Sequence, residues 1–118
     1  MILGAVAIAT EIKTTDLVPP GQQLSGVVVT CIKTALEKRE NTVISAVTAY
    51  KTTELASLND RKDGLLTAWN KTTKSELKSA VSAVWKIYKA TISGAKSVLH
   101  TAKESAWTTY KSEVNACK

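Results

Sequence analysis

From Leu24 to Lys118 the chain has no proline, and its apolar residues return at spacings of three and four for more than ninety residues. Within that helical period runs a stricter interval of eleven: Leu36, Val47, Leu58 and Trp69, then Leu77, Tyr88, Leu99 and Tyr110. Eleven residues fill three helical turns almost without drift. A seam with this spacing therefore stays on one face of a straight or slightly right-handed helix and does not wind as a heptad coil does. The chain is expected to be all-α.

Two such steps build a longer unit. Ala35-Leu36, Arg39 and Val43-Ile44-Ser45-Ala46-Val47 are echoed by Ser57-Leu58, Arg61 and Leu65-Leu66-Thr67-Ala68-Trp69, 22 residues on. Ala83-Val84-Trp85, Tyr88-Lys89 and Ile92 are echoed by Ser105-Ala106-Trp107, Tyr110-Lys111 and Val114. Each half is a duplicated unit, and such repetition marks extended scaffolds rather than enzymes, which need unique constellations.

Asn70-Lys71-Thr72-Thr73 interrupts the pattern, and Thr73-Lys74-Ser75-Glu76 fits a capping box, in which the Thr and Glu side chains serve the free amides of a helix start. The expected layout is helix one over about 23–70, a turn over about 71–73 and helix two over about 74–116. At 1.5 Å per residue each helix is about 65 to 70 Å long. Asn59-Asp60 and Gly64 are the weakest stretch of helix one, and a break there gives the alternative of three helices.

In an antiparallel hairpin, paired residue numbers add to a constant, and Cys31 with Cys117 places the midpoint at 74, where the capping box places the turn. A disulfide closing that loop would contribute roughly 4 to 5 kcal/mol in the chain-entropy description and would require an oxidising compartment. Two cysteines do not by themselves establish pairing, and two half-buried thiols in a reducing compartment are the alternative. Metal binding is not expected from two distant cysteines and one histidine. His100 is given no role, and no cofactor is expected.

Composition limits the core. There is no Phe, Ala and Val carry much of the apolar content, and three Trp and three Tyr are scattered, which suits a narrow seam. The abundant Thr residues leave helix propensity marginal, so packing must supply the rest. The net charge of +6 is uneven. Seven basic residues balance seven acidic ones up to Asn70, whereas nine Lys face Glu76, Glu104 and Glu113 beyond it. Lys78, Lys89, Lys96, Lys103 and Lys111 form the face on which an anionic envelope polymer, membrane or nucleic acid would dock; the plainer reading is a solvated, solubilising face. Only two of the sixteen basic residues are Arg, which argues against nucleic acid.

Met1–Ala9 is apolar, and Ala5-Val6-Ala7 and Ala7-Ile8-Ala9 have the small-x-small form of export-signal cleavage sites. It lacks a basic start and is too short to span a bilayer, so no transmembrane span is expected. Residues 1–21 are read as a signal remnant or an apolar assembly arm ending in a linker, because Pro19-Pro20-Gly21 cannot continue a helix. Alternating Ile8, Thr10, Ile12 and Thr14 also allow a short strand.

Cys31-Ile32-x-x-Ala35-Leu36-x-x-Arg39-Glu40, Arg61-Lys62-x-x-Leu65-Leu66-x-Ala68-Trp69, Ala106-Trp107 and the terminal Ala116-Cys117 together resemble uncharacterised, exported, Ala- and Lys-rich helical proteins of candidate-phyla-radiation (Patescibacteria) bacteria. The resemblance spans most of the chain from Cys31 to Cys117. It implies export and a paired Cys31 and Cys117, and it implies no activity.

A two-helix rod leaves outer faces uncovered, with Val27, Val28, Val29, Ile44, Leu55, Leu66, Ile87 and Val98 beside or off the seam. Surplus apolar surface of this kind asks for a partner. The expected function is therefore a structural subunit of a cell-surface or extracellular assembly, in which hairpins pack into an oligomer or filament. The alternative is a small secreted module that binds an anionic partner through its second helix. Catalysis is not expected: there is no Ser/His/Asp set, no glycine-rich phosphate loop and no pair of seam carboxylates. Asn70-Lys71-Thr72 matches a glycosylation acceptor, which matters only in a glycosylating host.

Overall fold

The computed structural model describes residues 25–117, which form two helices, α1 (Gly26–Ala68) and α2 (Lys74–Asn115), joined as a helical hairpin. The segment expected over residues 1–21 and the predicted helix start at Gln23 lie outside the described residues. The hairpin divides into two compact units: residues 25–47 with 100–117, and Thr48–Leu99, which contains the turn.

Local chemistry sets the helix ends. Ser25 caps α1, its hydroxyl accepting from the Val28 amide at 3.2 Å. At the far end the Asn70 and Lys71 amides reach the Thr67 and Ala68 carbonyls at 3.0 and 3.1 Å, so the last turn tightens and α1 stops two residues before the predicted end. Thr73 caps α2 by accepting from the Glu76 amide at 3.2 Å. The reciprocal half of the box differs from expectation: the Thr73 hydroxyl donates to the Glu76 carboxylate at 3.1 Å. Threonine is accommodated along α1 because the hydroxyls of Thr30, Thr34, Thr42 and Thr52 each donate to the carbonyl four residues earlier.

Helix α1 is continuous through Asn59, Asp60 and Gly64, which removes the three-helix alternative. Tertiary contact outweighs the weak propensity there. A Cβ on Gly64 would lie 2.9 Å from one methyl of Val84 and 3.2 Å from the other, so the helices approach at this point as only glycine allows.

In the first unit, Ala35, Tyr110 and Val114 form the buried core, with Ile32, Leu36 and Trp107 packed on it. Cys31 and Cys117 are joined beside it by a disulfide, with Cα atoms 5.8 Å apart. In the second unit Ser57 and Ala68 are the fully buried residues of α1, facing a half-buried row of Leu77, Val81, Val84, Tyr88, Ile92 and Leu99 on α2.

Of the predicted seam residues, Tyr110 is buried, Leu36, Val47, Leu77, Tyr88 and Leu99 are half-buried, and Leu58 and Trp69 are exposed. On α1 the small residues one position before the predicted seam, Ala35, Ser57 and Ala68, are buried together with Val28 and Arg39, and Trp69 is 70% exposed. Small side chains occupy the line of closest approach because the facing aromatic and branched residues fill the space. The larger neighbours lean to the flank. Val28, expected off the seam, is buried.

Candidate functional site

The face expected to meet an anion is altered at one position. Lys78, Lys89, Lys96 and Lys111 are exposed, but Lys103 is only 7% exposed. It sits one eleven-residue step from both Ile92 and Val114 on the inward side of α2, where its methylene stem packs as an apolar residue would. His100 is exposed, with Nε2 3.3 Å from the Glu104 carboxylate one turn on. Among the described residues no group of three or more His, Cys, Asp or Glu could hold a metal ion. No described helix is long and apolar enough to cross a membrane.

The repeat builds something the sequence reading did not isolate. In the first unit the Arg39 guanidinium lies 5.9 Å from the Trp107 ring centroid and 5.6 Å from that of Tyr110. In the second, the Arg61 guanidinium lies 4.6 Å from the centroids of both Trp85 and Tyr88. Arg39 and Arg61 are 22 residues apart, as are both aromatic pairs, so the duplication delivers one cation–π box to each unit. The signal was present: across an antiparallel hairpin, Arg39 with Tyr110 and Arg61 with Tyr88 share the same number total. The rings are arranged differently, Trp107 and Tyr110 stacked at 24° and Trp85 and Tyr88 edge-on at 86°.

Beside each box is a recess, and apart from Ser105, which lines only the first, the two linings correspond at that same 22-residue offset. Ala35 matches Ser57, Lys38 matches Asp60, Arg39 matches Arg61 and Thr42 matches Gly64 on α1. Ala106 matches Val84, Thr109 matches Ile87, Tyr110 matches Tyr88 and Glu113 matches Thr91 on α2. The first recess is about 90 Å³ and the second about 190 Å³.

Their electrostatics differ. Arg39 is 5% exposed, and its Nη2 pairs with the carboxylate of Glu40. Its Nε and Nη1 have no hydrogen-bond partner among the described residues, and the ring faces offset part of that cost. Lys38 and Glu113 form a 2.7 Å ion pair between the two helices at the first recess. In the second unit Lys62 stands where the repeat would put Glu40, and it lies 3.9 Å from Asp63 instead. Arg61, half-buried, keeps its two aromatic contacts and has no carboxylate within ion-pair distance among the described residues.

Tyr50 lies midway between the two arginines in sequence, and its phenol is raised above its ordinary value of 10.0. Burial is the largest cause, followed by the charge of Glu54 and the proximity of Tyr88.

No family model, curated protein or solved structure matches this chain.

Proposed function

We propose that this protein is a structural subunit that assembles with copies of itself, as an oligomer or filament, at the cell surface or outside the cell. The observation that carries this reading is the apolar surface of the second unit outside the Arg61 recess, where Leu55, Leu66, Trp69 and Val98 are each more than 60% exposed. Exposed apolar side chains in this number are interface material. The disulfide supports an oxidising compartment, and the duplicated units suit repetitive assembly.

Sedimentation and negative-stain electron microscopy over a range of concentrations test it. Larger species growing with concentration, and weakened at least tenfold by Leu66→Glu with Val98→Glu, are expected. Uniformly monomeric particles at every concentration would refute it.

A second reading is supported by the exposed Lys78, Lys89, Lys96 and Lys111, the last with its ammonium 5.3 Å from the Trp107 ring centroid. In this reading α2 docks on an anionic envelope polymer. Binding would then fall steeply with added salt as counterion release loses its advantage.

A further inference from the structure

We propose that the recess beside Arg61 is a binding site for a small monocarboxylate with a short apolar chain. The case rests on comparing the two copies of the same 22-residue unit within this chain. In the first copy the arginine has its own carboxylate in Glu40, and the Lys38–Glu113 ion pair occupies the recess lining. In the second copy all three of these charged residues are replaced, by Lys62, Asp60 and Thr91. The cation is retained while its intrachain counter-anion is removed.

The space changes in the same direction. Val84 stands for Ala106 and Ile87 for Thr109, which makes the wall more apolar, Gly64 in place of Thr42 gives Val84 room to pack, and the recess volume is about 190 Å³ against about 90 Å³. A groove of this volume, open to solvent on one side, takes a ligand with a short chain of a few non-hydrogen atoms. Butanoate has that size.

The chemistry is complementary. Stacking on Trp85 and Tyr88 engages the faces of the guanidinium, and its edge carries N–H donors arranged to receive a carboxylate in a bidentate pair. Val84 and Ile87 line the recess for the alkyl chain. Asp60, exposed on the lining, opposes any anion there, so binding is held to the millimolar range and a dicarboxylate is disfavoured more than a monocarboxylate.

The test is a backbone-amide NMR titration of the oxidised full chain with butanoate, butan-1-ol and succinate. Butanoate is expected to give saturable shifts in the millimolar range, confined to residues near 57–64 and 84–91, with butan-1-ol and succinate each at least tenfold weaker. Asp60→Lys with Thr91→Glu rebuilds the ion pair of the first recess from good helix formers, and it should weaken butanoate at least tenfold with helix content unchanged. Arg61→Gln should do the same. The proposal is overturned if butanoate shifts do not saturate, if butan-1-ol binds equally, or if the Asp60→Lys, Thr91→Glu protein binds as the parent does. Concentration-dependent shifts at the same residues without ligand would assign the recess to a subunit contact and also overturn it.

Discussion

Gly64→Ala sets two effects of known size against each other. At an exposed helix position alanine in place of glycine would stabilise by about 1 kcal/mol, through helix propensity and a less free unfolded chain. At Gly64 the new Cβ meets the two Val84 methyls at 2.9 and 3.2 Å. Valine in a helix is held near one χ1 value, so those methyls cannot swing aside without an eclipsed rotamer or a shift of backbone. Overpacking of this kind costs about 1 to 3 kcal/mol. The cost outweighs the gain, and the variant should lose about 1 kcal/mol, lowering Tm by about 4 to 8 °C in a chain of this size. Urea unfolding followed by far-UV circular dichroism measures it. Val84→Ala vacates the contested space, so the double variant should be more stable than the two single losses predict by about 1 kcal/mol. A Gly64→Ala protein more stable than the parent by about 1 kcal/mol would refute the close approach of the helices at this point.

Two further expectations follow from the same geometry. Replacing both Cys31 and Cys117 by Ser opens a loop with a sequence separation of 86, so the chain-entropy description gives a loss of about 4.5 kcal/mol, a large share of the stability of a domain this small; a loss below about 1 kcal/mol in urea unfolding would show that the staple does not constrain the unfolded chain. Tyr50 favours its neutral phenol in the fold, so its contribution is intact below its ordinary value of 10.0 and is lost as pH rises above that towards the higher folded value. Tyr50→Phe should therefore lose less stability than the parent between pH about 9 and about 11 in thermal melts; parallel loss in the two proteins would refute this.

Much of the fold was legible because it is governed by local and periodic terms. The eleven-residue spacing, the absence of proline, the Thr73 cap and the cysteine positions are properties of the chain itself, and they agree on a two-helix hairpin with its ends stapled. The α2 seam was also legible, since Leu77, Tyr88, Leu99 and Tyr110 are the large residues on that face and large residues there turn inward. On α1 the same rule pointed to Leu36 and Val47, which are half-buried, but it failed at Leu58 and Trp69, which are exposed while the small residues one position earlier, Ser57 and Ala68, are buried.

That failure marks the boundary between sequence and tertiary structure. Periodicity determined which residues share a face of each helix, but a helix has no preference of its own for which neighbouring column meets a partner. Packing made that choice. It buried Ala35, Ser57 and Ala68, set Gly64 against Val84, turned Trp69 outward and drew Lys103 inward. The 22-residue duplication was visible as a pattern, yet only the juxtaposition of α1 with α2 brought each arginine over its tryptophan and tyrosine and left Arg61 without the carboxylate that Arg39 has. Such contacts depend on rotational setting across the hairpin, which is decided by the summed fit of many side chains and by no single stretch of sequence.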